Sequence, residues 1–176
     1  MRALSAERSA LLVIDIQTRL MPAIHDGDRV VTNARRLIAA SSMLGVPTLA
    51  TEQNPNGLGP TVGALPAVAD VITKMSFDAT REPDLLTKVD ENHDIVALGC
   101  EAHVCVLQTV LGLLDANRRV FVVADAIGSR HPANRDAALR RMERHGAEVV
   151  TTEMVVFEWL GTAKHPKFRE AVALIK

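Results

Sequence analysis

The chain has 176 residues, 48% of them apolar and 23% charged, with a formal net charge of −1. That is one ordinary globular domain's worth of chain with room for a core, and neither the charge balance nor 3% aromatics without any Tyr suits nucleic acid or a base-stacking platform. No stretch reaches the length of a membrane span, and the run Ala10–Ile14 is too short for a secretory core, so a cytoplasmic location is expected.

Short apolar runs alternate with longer helical patterns. Ser9–Asp15 (SALLVID) reads as a buried strand. Asp28–Gly45 carries Val31, Ala34, Leu37, Ile38, Met43 and Leu44 at helical spacing, with Asp28 as a candidate N-cap and Gly45 as a stop. Val46–Thr51 and Val71–Lys74 read as the second and third strands, and Glu82–Asn92 as helix. Asp94–Gly99 (DIVALG) is a fourth strand. Ala102–Ala116 follows as a helix with Val106, Val110, Leu113 and Leu114 along one face. Arg119–Ala124 (RVFVVA) is a fifth strand, Pro132–His145 a helix with Pro near its first position, and Glu148–Val150 a sixth strand. The remainder is mostly helical with a break near His165 and Pro166. There is no repeat and no linker, so residues 1–176 are expected to form one domain.

Continuous apolar strands alternating with helices predict an α/β fold: a three-layer, doubly wound sheet of six mainly parallel strands in Rossmann-like order. Such sheets bind ligands at the carboxyl ends of their strands, beside the point where strand order reverses. Three chemically capable residues fall at such ends. Asp15 closes SALLVID, where partial desolvation suits a carboxylate to work as a base; its plainer reading is an N-cap or a loop salt bridge. Lys74 closes VITK, where its cation can lower a thiol's pKa or hold developing negative charge; its plainer reading is a solvated lysine. Cys105 follows DIVALG at the start of a helix, whose free N–H groups and dipole favour a thiolate and can hold an oxyanion; its plainer reading is a small buried hydrophobe. Strands one and four flank the switch point, which brings Asp15 and Cys105 together.

His103 lies two residues from Cys105 in a helical start, so the two side chains do not face each other. Cys100 and Cys105 are five apart, which is neither a disulfide framework nor Cys-x-x-Cys, and both are expected to be free thiols in a reducing compartment. The histidines at 25, 93, 103, 131, 145 and 165 form no pair at helical spacing.

LLVIDIQ (11–17), ITKMSF (72–77) and ALGCEAHVC (97–105) together resemble the isochorismatase-like cysteine hydrolases, a likeness that runs nearly end to end. TEQNPNGLGPTV (51–62) and GCEAHVCVLQTVLGLLD (99–115) are similar to the isochorismatase-domain-containing proteins of uncertain substrate. The resemblance implies a catalytic triad of Asp15, Lys74 and Cys105. It also implies a cis peptide between Cys100 and Glu101, and an oxyanion hole formed by the backbone N–H groups of Glu101 and Cys105. The expected reaction is hydrolysis of a small amide-like substrate through a thioester, with Gln17, Gln53, Asn54, Phe77 and His103 as candidate pocket residues. Arg130 is a candidate for a substrate carboxylate, or else a structural ion pair with Asp125. Nicotinamidases carry metal-binding histidines after the second strand, where this chain has ATEQNPNGLG (50–59). No cofactor, no catalytic metal and no nicotinamidase activity are therefore expected. A homo-oligomer is expected, with the apolar segment Met154–Leu160 in an interface or the core. The competing reading is a catalytically silent small-molecule binding or scaffold protein of the same fold.

Overall fold

The run SALLVI (β1, Ser9–Ile14) is buried at every position, as a central strand covered on both faces must be. In the computed structural model, which describes residues 3–176, β1 is followed by α1 (Gly27–Leu44), β2 (Thr48–Gln53), the short α2 (Pro55–Leu58) and β3 (Asp70–Lys74). Next come α3 (Pro83–Lys88), β4 (Asp94–Cys100), α4 (Leu107–Asp115), β5 (Val120–Gly128) and α5 (Pro132–Arg144). β6 (Glu148–Val150), α6 (Thr152–Leu160) and α7 (Phe168–Ile175) complete the chain. The strands form one parallel sheet in the order β3-β2-β1-β4-β5-β6, the expected doubly wound α/β arrangement.

The two-residue period of β1 sorts its side chains between two cores. Leu11 and Val13 join α1, α6 and α7 on one face. Ala10, Leu12 and Ile14 join α4, Leu85 of α3, and Ala138 and Met142 of α5 on the other. Trp159 of α6 belongs to the first core and donates from Nε1 to Ser9 Oγ at 3.0 Å. The apolar α6 is therefore mainly a core helix, with Met154 and Phe157 left exposed.

Several boundaries depart from the sequence reading. Helix α1 starts one residue earlier, after a left-handed Asp26, so Asp28 lies in its first turn rather than at its cap. Gly45 does end it, at φ +74° with its N–H on Ser41 O. The helix expected over 82–92 stops at Lys88, because Val89 turns extended and Asp90 Oδ1 captures the Asn92 N–H at 2.8 Å. The helix expected from Ala102 divides: Ala102–Val106 forms a wide π-type turn, and only from Leu107 is the coil α-helical. β5 runs four residues past Ala124, because an irregularity in its pairing with β4 lets Ile127 and Gly128 rejoin Gly99 and Cys100.

Candidate active site

Three strand ends meet at the switch point between β1 and β4. Beyond Ile14, Asp15 adopts φ +50°, a left-handed turn that aspartate tolerates better than most residues. Its carboxylate is fully buried and held from two sides. Thr51 Oγ1 donates to Oδ1 at 2.6 Å, and Lys74 Nζ donates to Oδ2 at 2.7 Å. Lys74, 2% exposed, also donates to Gln53 Oε1 at 2.7 Å and approaches the Ser76 and Phe77 carbonyls at 3.3 and 3.5 Å. Gln53 stands opposite Lys74 in the β2–β3 register, which fixes their side chains on one face. Burying this ion pair is tolerable because most of its remaining polar capacity is filled by neutral partners.

Cys105 lies in the wide turn after β4 and is 6% exposed. Its thiol donates toward Gln53 Oε1 at 3.9 Å. The Cys100–Glu101 peptide that leads into this turn is cis. Val104 and Val106 both donate their N–H to Glu101 O, at 3.0 and 3.2 Å, and Cys105 lies between them. The thiol's pKa is pushed up to about 12, first by burial and then by the Asp15 charge, with Lys74 pulling the other way. The expected pull of the helix start toward a thiolate is therefore not the deciding influence on this thiol. Desolvation and the neighbouring carboxylate outweigh the dipole, which here acts through a turn rather than a regular helix.

A cavity of about 340 Å³ opens onto Asp15 and Cys105. Of the residues expected to line it, Gln53, Phe77 and Arg130 do, as does Glu101. Gln17 is buried behind it, donating to the carbonyls of Gln53 and Gly59 at 3.1 and 2.6 Å. Asn54 is left-handed, opens α2, and faces a separate depression beside Met75 and Glu82. His103 turns away to pair Nδ1 with Ser129 Oγ at 3.0 Å. The structure therefore brings none of these three to the cavity. Arg130 does not pair with Asp125. Its backbone N–H and its Nε donate to Glu101 Oε2 at 2.9 and 3.2 Å, while Asp125 accepts from Thr152 N–H and Oγ1.

Sequence reasoning missed Arg19, Leu20, Ala23, Leu58 and Val104 as cavity walls. Arg19 and Leu20 lie in turns after β1 and Ala23 closes the single 3-10 turn Met21–Ala23, which is too short for any periodicity to mark a face. Among the described residues no three His, Cys, Asp or Glu side chains cluster as metal ligands would.

Residues 9–154 match the isochorismatase domain. The chain is 38% identical over 175 residues to isochorismatase domain-containing protein 2 of Danio rerio, covering 98% of this chain and 89% of that one. The solved structure of MAR1 ribonuclease from Caenorhabditis elegans superposes with a TM-score of 0.90 at 38% identity, covering 98% of this chain and 92% of the other. The YcaC gene product of Escherichia coli, described as an octameric hydrolase of unknown specificity, gives a TM-score of 0.86 at 25% identity, covering 99% and 88%.

Proposed function

The chain belongs to the isochorismatase family, and from that membership we propose that it is a cysteine-dependent hydrolase of a small amide-like substrate. The observation that carries the proposal is a buried Asp15–Lys74 ion pair beside a buried thiol at the wall of a small cavity. A thiol pushed up to about 12 is neutral at physiological pH, so attack needs a base within reach. Asp15 fills that role. It takes the Cys105 proton as sulfur bonds to the carbonyl carbon, and Lys74 steadies the negative charge that develops on sulfur before the bond is complete. The backbone N–H groups of Glu101 and Cys105 hold the oxyanion. Protonated Asp15 gives its proton to the leaving amine as the C–N bond breaks, which leaves a thioester. Water attacks the thioester with Asp15 again as base. The carboxylic acid departs, and sulfur recovers its proton from Asp15.

The cavity size supports a small molecule as substrate. Gln53, Phe77 and Arg130 are its proposed contacts. The two free thiols support a reducing, cytoplasmic setting. Exposed Val71, Met75 and Phe77, together with the octameric description of the Escherichia coli neighbour, support a homo-oligomer, which light scattering would detect.

The test is a panel of small amides followed by ammonia release. Cys105→Ala should lower turnover at least about a thousandfold with the fold intact by circular dichroism. Full turnover in that variant overturns the mechanism. A panel with no turnover at all favours the silent binding protein. An RNA oligomer belongs in the panel, because the Caenorhabditis elegans neighbour is described as a ribonuclease. Cys105-dependent RNA cleavage without amide hydrolysis would replace the proposed substrate class.

A further inference from the structure

The charges around the cavity do not sum to zero. Asp15 cancels Lys74 at 2.7 Å, and Glu101 cancels Arg130 at 3.2 Å. The thiol is neutral at physiological pH. That leaves Arg19, which lines the same cavity and has no carboxylate partner among the described residues. Its guanidinium is nonetheless held in place. Nη1 donates to the carbonyls of Asn56 and Gly57, both at 3.1 Å, and the Arg19 backbone N–H donates to Leu58 O at 2.9 Å. Both Nη1 hydrogens are thus used, while Nε and Nη2 donate to nothing among the described residues. That remaining edge is one of the two by which a guanidinium grips a carboxylate with two parallel hydrogen bonds. The apolar part of the same lining is formed by Leu20, Ala23, Leu58, Phe77 and Val104.

We infer that Arg19 is the anion-recognising residue of this site, and that the substrate is a small amide carrying a carboxylate at the end of a short apolar stem. The inference rests on the reading of Cys105 as the nucleophile of an amide hydrolase. Arg130 was the arginine that the sequence offered for this task, but Glu101 already occupies it. A substrate carboxylate at Arg130 would meet a guanidinium whose charge Glu101 already offsets, whereas Arg19 has no carboxylate partner among the described residues.

The test uses the intact protein and the rate at which iodoacetamide alkylates Cys105, followed by mass spectrometry. Succinamate, glutaramate and adipamate are the anionic probes. Butanamide, pentanamide and hexanamide are neutral amides of the same lengths. At least one anionic amide should protect Cys105 saturably, at a concentration about tenfold or more below that of its neutral counterpart. Arg19→Gln should erase that preference, and Arg19→Lys should retain part of it. Arg19 is exposed, so both variants should melt with the native protein. Equal protection by neutral and anionic amides, a preference that survives Arg19→Gln, or no protection by any anionic amide each overturns the inference. Its failure is separable from that of the hydrolase reading. Arg19-dependent protection without ammonia release from any amide leaves the anion site and removes the enzyme. Ammonia release from the neutral amides alone does the reverse.

Discussion

At the scale of single residues, the thiol's proton is the quantity to follow. Because Cys105 is pushed up to about 12, its thiolate is scarce at neutral pH, and alkylation by iodoacetamide should climb about tenfold per pH unit from 6 to 10 without levelling off. Cys100 is buried deeper and its thiol is pushed up further, chiefly by burial, so it should stay unmodified over the same range. A plateau near pH 7 would mean a preformed thiolate and would remove the need for Asp15 as a base. Asp15→Asn separates two roles of that carboxylate. It removes the charge that repels a thiolate while Lys74, still held by Gln53, remains beside the sulfur. Alkylation at pH 7 should therefore rise about tenfold or more as amide turnover falls at least about a thousandfold. A variant slow in both assays would show that Asp15 does not hold the proton on sulfur. Asp15, Lys74 and Cys105 were legible in the sequence because each follows an apolar strand, and strand ends in this fold converge. The direction of the Cys105 shift was not legible, since it depends on how deep the turn lies and on which charge faces it. Arg19 was invisible for a related reason: its position is set by carbonyls 37 and 38 residues away.

At the scale of elements, the site depends on how closely β1 and β4 end together. Ile14 and Gly99 are register partners, and Gly99 takes φ +124°. A Cβ built there would lie 1.9 Å from Ile14 O, which is backbone and cannot step aside. Gly99→Ala should therefore lower the urea midpoint by the equivalent of at least about 2 kcal/mol, combining left-handed strain with a forced separation of the strands. Gly45→Ala is the matching control. Gly45 is also left-handed, at φ +74°, but nothing lies within 4 Å of its absent Cβ, so it should cost only about 1 kcal/mol. Equal midpoints for the two variants would mean that the close approach is not rigid. Strand positions and order were readable from the apolar runs and their alternation with helices. What local pattern did not carry was the division of the 102–116 helix and the extension of β5 to Gly128. The second arises from tertiary pairing. The irregular β4–β5 pairing carries Ser129 to His103 and Arg130 to Glu101.

At the scale of the whole molecule, the sheet separates two cores, and each contains one of the two thiols. Cys100 packs with α1 and its neighbours, and Cys105 packs with α4 on the opposite face. Both thiols are pushed above the ordinary value of 9.0, mainly by burial. Ionising them therefore means placing a charge in each layer. Unfolded cysteines ionise first, near the ordinary value, so the folded state binds more protons than the unfolded state as pH rises from about 9 toward 12. The sign follows. The stabilisation is fully present below about pH 9 and is lost as pH rises, with each thiol steepening the decline by up to about 1.4 kcal/mol per pH unit. The chain has no Tyr, so lysines are the main other side chains titrating in this window. Urea midpoints between pH 8 and 11 should fall steeply for the native protein, less steeply for Cys100→Ala and for Cys105→Ala, and least for the double variant. A double variant as steep as the native protein would assign the alkaline loss to lysines. Cys100→Ala and Cys105→Ala should flatten the curve about equally, because both folded thiols keep their protons across this window while the unfolded ones lose them. Lys74, which favours the Cys105 thiolate, lessens the alkaline penalty in its layer only beyond this window.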